Sequence, residues 1–179
     1  ALDIYEDARK HTIVGLNQLR DWGVVKNLIR PRLVNYSMNE EMLEEVPHVR
    51  IADLAVTFYI PSDELFAQHR SGNIRVSKFL MEEYGVRESD LYKHAINNLE
   101  QAGYTFEKLS NILEPPAMGR DVLYLLTCNE GVLGAAVMVS KKILNEVCQI
   151  LGRSKFYMLP SSTHECLIVN DDSLELSVL

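Results

Sequence analysis

The sequence predicts an α+β fold: a single domain with a mixed, mainly antiparallel sheet of about five to seven strands, packed by about three to five helices. Three observations carry that class. The stretch from Val49 to Ile60, including IADLAVTFYI, is β-branched and aromatic, and Pro61 and Ser62 stop it. Helical stripes come with their own start and stop residues, as in Ser140 followed by Ile143, Leu144, Val147 and Leu151 and then Gly152. The runs Val122–Cys128 and Val132–Val139 are apolar on both faces, so they need cover on both sides.

Taken in order, residues 4–22 carry apolar side chains at a loose helical spacing, as one helix or two broken near Gly15, ended by Gly23. Val24 to Leu28 add a turn before Pro31, which forces extended geometry on its neighbour. Ile29 to Tyr36 alternate around Pro31, as an edge or bulged strand does. Ser37 and Asn39 offer an N-cap for a short acidic helix through Glu45, closed by Pro47. After the strand at 49–60, Gly72 to Val76 form its hairpin partner.

Ser77 caps a helix that ends at Gly85, with Val86 placed for a Schellman contact. Ser89 caps the next, whose stripe of Leu91, Tyr92, Ala95, Ile96 and Leu99 ends at Gly103. Tyr104 to Arg120 hold one short helix before Pro115 and Pro116. Residues 122–128 and 132–139 are predicted to pair as a hairpin around Asn129-Glu130-Gly131. Phe156–Leu159 and Glu165–Val169 are the last strands, and the acidic tail after Asn170 frays. Residues 1–28 are expected to be a helical segment at the trimmed edge of a longer protein, and 29–179 the α+β domain.

Composition bounds the partners. A net charge of −7 repels phosphate backbones and anionic lipid heads, so neither nucleic acid nor membrane is favoured. No apolar run reaches the roughly 18 to 20 residues of a membrane span. Cys128, Cys148 and Cys166 sit in apolar runs, as buried free thiols of a reducing, cytoplasmic compartment do. No cofactor motif and no resident metal site is predicted; His164, Cys166 and His48 have no ligand spacing.

The strongest local anomaly is PSSTHE at 160–165, where hydroxyls, an imidazole and a carboxylate interrupt two apolar strands. Ser161, Ser162, His164 and Glu165 are the ingredients of nucleophilic or acid-base catalysis. In an extended segment Ser162 and His164 would share one face. The structural alternative is a tight turn whose hydroxyls bond backbone amides while His164 bonds a carbonyl or carboxylate. No helix follows the serines and no G-x-S-x-G occurs, so the serine-hydrolase elbow is missing.

A second cluster is EVPHVRIAD at 45–53, with His48 at the mouth of a strand and Asp53 inside it. Together they are candidate binding residues, or Asp53 forms a buried ion pair with an arginine nearby. Residues 77–97 have helix-Gly-turn-helix spacing, as DNA-reading motifs do, but Glu82, Glu83, Glu88 and Asp90 suit a phosphate-lined groove poorly.

With those residues laid out, the chain resembles a bacterial family, domain of unknown function 5688. The resemblance rests on RPRLVNYSMNEEMLEEVPHVRIADLAVTFYI at 30–60, YGVRESDLYKHA at 84–95, YLLTCNEGVLGAAVMV at 124–139 and FYMLPSSTHECLIV at 156–169. It implies no reaction, cofactor or partner, and it implies a longer N-terminus. The leading functional expectation is a non-enzymatic interaction or regulatory domain with a protein partner. The rival is a hydrolase built on Ser161 or Ser162, His164 and Glu165, with His48 and Asp53 contributing.

Overall fold

A computed structural model of the chain describes residues 14–66, 72–112 and 122–170. Contacts group them into two compact units, one ending at Leu99 and the other beginning at Glu100. The class is α+β, and the strand pairs are antiparallel, as the sequence predicts. The strands divide between two four-stranded sheets where one sheet was expected.

The first unit opens with helix α1 (14–20) and helix α2 (Trp22–Leu28). Gly23, expected to stop a helix, instead lies in the first turn of α2, where its amide donates to the capping carboxylate of Asp21 at 2.7 Å. At the other end of α2, the buried Asn98 amide donates to the carbonyls of Lys26 and Ile29 at 2.9 and 3.0 Å. Those carbonyls would otherwise lack a partner inside the helix.

Strand β1 (Arg30–Asn35) is an edge strand, the place where Pro31 costs no ladder bond. Helix α3 (Glu40–Glu45) then leads to β2 (Val49–Ile51), β3 (Leu54–Pro61) and β4 (Asn73–Arg75). The single strand expected over 49–60 is in fact two strands. Ile51 pairs with Leu54 across a two-residue turn of Ala52 and Asp53, with Ala52 at φ 55°. Asp53 is therefore not a charge buried in a strand; it is an exposed turn residue. β3 is the central strand, paired with β1 on one side and with β2 and β4 on the other. Phe58, Ile60, Val25, Ile29 and Leu91 are among the fully buried side chains of this unit.

Helices α4 (Lys78–Tyr84) and α5 (Glu88–Ala102) follow. The Ser77 cap and the Schellman close are present: Gly85 sits at φ 64° and the Val86 amide reaches the Met81 carbonyl at 3.4 Å. α5 begins one residue before Ser89. The Arg87 amide donates to the Asp90 carboxylate at 3.0 Å, and this bond, helped by the Arg87 charge, holds Asp90 below the usual carboxylate range. Tyr84 is buried, donates to the Leu19 carbonyl at 2.7 Å and has its phenol pushed up to about 12 by burial.

In the second unit, β5 (Tyr104–Lys108), β6 (Leu123–Cys128), β7 (Tyr157–Pro160) and β8 (Cys166–Val169) are ordered β5-β6-β8-β7. β5 occupies the start of the 104–120 stretch, which was expected to hold one short helix before Pro115. Tyr104, Thr105 and Phe106 are strand formers, and Phe106 stacks on Tyr124 of β6 at 4.9 Å. Helix α6 (Lys141–Leu151) has the expected cap and stop: the buried Ser140 hydroxyl accepts from the Ile143 amide at 3.2 Å and donates to Glu100 at 2.7 Å, while Gly152 is at φ 64°.

The predicted hairpin of 122–128 with 132–139 is not formed. β6 pairs with β5 and β8, and Gly134–Val139 are a buried 3-10 helix. An all-apolar run fits a buried strand or a buried helix equally, and the small residues Gly134, Ala135 and Ala136 let the chain turn tightly against the sheet. Of the stretch expected to hold a short helix before Pro115, Leu109–Asn111 form a 3-10 turn and residues 113–121 lie outside the described residues, as do the first part of the helix expected at 4–22 and the tail after Asn170. Among the described residues no helix is long and apolar enough to cross a membrane.

Candidate functional site

Ser161, Ser162, His164 and Glu165 come together in the turn joining β7 to β8, closed by the pairing of Pro160 with Cys166. Alternation along an extended segment does not survive the turn. The Ser162 amide and the Ser161 hydroxyl both donate to the Glu165 carbonyl, each at 3.3 Å, and the Ser162 hydroxyl accepts from the His164 amide at 3.0 Å. These are the local side-chain bonds that serines make in turns.

Three further bonds attach the turn to the rest of its unit. The Thr127 hydroxyl of β6 donates to the His164 carbonyl at 2.7 Å. The His164 ring takes its hydrogen bond from an amide, not from the expected carbonyl or carboxylate: Leu133 N–H donates to Nδ1 at 3.1 Å. Leu133 is in the left-handed region at φ 55°, and the next residue, Gly134, passes so close to Thr127, the His164 carbonyl and the Cys128 amide that a Cβ there would collide with all three. The Ala135 amide completes the contact by donating to the Thr163 carbonyl at 3.4 Å.

The chemistry of the ring follows from that amide. With Nδ1 accepting, the neutral imidazole carries its proton on Nε2. A general base acting on a serine needs an unoccupied acceptor nitrogen facing the hydroxyl, with the other N–H oriented by a third group. Here one nitrogen is occupied and the other is a donor.

His48 has the opposite arrangement. Its Nδ1 donates to the Val46 carbonyl at 3.1 Å, which leaves Nε2 as the acceptor, and its ring meets Tyr36 edge-on at 5.8 Å. The Arg50 guanidinium lies 4.0 Å over the same Tyr36 ring. Asp53 is at the far end of β2 from His48, more than about 10 Å along the strand, so these two candidates do not share a site. Cys128 and Cys166 are buried free thiols. Burial raises both, Cys166 to about 12, which leaves it a core group that touches the Leu126 carbonyl at 3.5 Å. Among the described residues no three His, Cys, Asp or Glu side chains group as metal ligands would.

Sequence reasoning passed over two cavities. In the second unit, about 540 Å³ opens between α6 and β7, with Leu144, Cys148, Phe156 and Val169 as apolar walls and Arg153 and Lys155 beside them. In the first unit, a cavity of about 360 Å³ is lined by Arg32, Thr57, Tyr59 and Arg75 of the sheet and by Met42 and Glu45 of α3. Both fall in the size range of small-ligand sites, roughly 300 to 1,000 Å³. The signal for the second is the pair Arg30 and Arg32 alternating around Pro31 in the edge strand.

Across residues 1–178 the sequence matches a family of unknown function, DUF5688, and the chain belongs to that family. No curated protein and no solved structure matches it.

Proposed function

We propose that this family member is a non-catalytic binding domain in which the 160–165 turn acts as a structural clasp. The observation that supports the reading is the hydrogen-bonding of His164: Leu133 occupies Nδ1, and the proton that remains on the neutral ring is on Nε2. The adjacent hydroxyls point the same way, because Ser161 donates to a carbonyl and Ser162 accepts an amide inside the turn. Polar groups bonded in this manner fix the backbone and leave little to act on a substrate.

The double variant Ser161→Ala, Ser162→Ala separates the two readings. Its thermal unfolding and its turnover of chromogenic carboxyl ester, amide and phosphoester substrates are compared with the unchanged protein. The clasp predicts a loss of about 1–2 kcal/mol of stability and no serine-dependent turnover. A variant that keeps its unfolding temperature and loses a measurable hydrolysis rate would establish the hydrolase instead.

A further inference from the structure

We propose that the cavity on the first unit's sheet binds a phosphate monoester, held between Arg32 and Arg75. The proposal deepens the binding-domain reading by naming a ligand class, and it rests on that reading.

Strand register puts four arginines on one face. Arg32 stands opposite Thr57, Arg30 and Arg75 opposite Tyr59, and Arg50 opposite Ala55. Ala55, Thr57 and Tyr59 alternate along β3 and so share a face, which their partners share with them. The other face carries Val56, Phe58 and Ile60 into the core. On the arginine face Ala55, Thr57 and Tyr59 are themselves buried, with Ala55 packed in a cluster with Leu43 and Val46, so the guanidinium groups flank an apolar strip, an arrangement suited to an anion with an apolar body.

The four are not equivalent. Arg30 donates to the Leu28 carbonyl at 2.9 Å, and Arg50 donates to the Ala52 carbonyl at 3.2 Å while lying over Tyr36. Arg32 differs from both: its Nε is buried and has no hydrogen-bond partner among the described residues. Leaving such a donor unsatisfied is unfavourable, and native proteins seldom do so without a ligand or water to receive it. That nitrogen belongs to a side chain lining the cavity, and Arg75 lines it too.

β1 and β4 stand roughly 10 Å apart on either side of β3, a span that two arginine side chains can close on one oxyanion. Two guanidiniums match a phosphate dianion better than a carboxylate monoanion. Met42 of α3 and Val46 just after it contribute apolar surface for the body of an ester, while Glu45 disfavours a second negative charge on that side.

Phenyl phosphate is the probe and benzoate its carboxylate counterpart, each titrated into the full chain while arginine Nε–H signals are followed by proton–nitrogen correlation spectroscopy. Phenyl phosphate is expected to shift the Arg32 Nε–H signal saturably and to bind at least about tenfold more tightly than benzoate. Arg32→Met and the exposed-site variant Arg75→Ala should each weaken it at least about tenfold, whereas Arg50→Ala should not. Benzoate binding as tightly overturns the phosphate assignment. No shift at Arg32 overturns the site and leaves the binding-domain reading standing. Saturable binding accompanied by phenol release keeps the site and overturns the non-catalytic reading.

Discussion

The 160–165 turn and the arginine-lined cavity are both polar breaks in apolar sheets, but they differ in what their polar groups have left to offer. In the turn, the serine hydroxyls and the acceptor nitrogen of His164 are bonded to protein backbone. In the cavity, a buried guanidinium N–H has no partner among the described residues. The first arrangement contributes to stability, and the second detracts from it. Residue types that look catalytic in a sequence can thus be structural, while a side chain that looks like ordinary strand polarity carries the unsatisfied bond.

The sharpest way to break this comparison is at Gly134. A methyl group there collides with Thr127, the His164 carbonyl and the Cys128 amide, so Gly134→Ala is expected to cost about 3 kcal/mol or more in denaturant unfolding. A loss below about 0.5 kcal/mol would mean that the turn and the 3-10 segment are not held together as described.

A smaller effect of opposite sign tests the other half. Arg32→Met keeps most of the side-chain volume and removes the unpartnered donor, so stability should hold or rise by about 1 kcal/mol while phenyl phosphate binding is lost. A large destabilisation would show that Arg32 is a structural group after all.

Capped helices were legible in the sequence because their signals are local. Ser77 with Gly85 and Ser140 with Gly152 fix both ends of α4 and α6, and each cap is formed by the residue predicted. Edge strand β1 was legible from Pro31 for the same reason. The misreadings arose where only tertiary contact decides. Residues 132–139 are apolar throughout, and what makes them a 3-10 helix is the close passage of Gly134 over β6 and the turn. The stretch 49–60 concealed a hairpin because its turn is Ala52-Asp53, without the glycine that usually marks one.

The candidate site was half legible. PSSTHE was visible as an anomaly, but the choice between catalyst and clasp depends on the Leu133 amide, thirty-one residues away in the chain. The arginine cavity was invisible, because it needs the register of β1, β3 and β4 to bring Arg32 and Arg75 to one face.

Nitrogen-15 spectroscopy of the His164 ring tests the central claim most directly. In the neutral imidazole, the clasp predicts a proton on Nε2 and an unprotonated Nδ1 showing a hydrogen-bond coupling to the Leu133 amide. A ring protonated on Nδ1, with no coupling to Leu133, would contradict the clasp and return His164 to candidacy as a base.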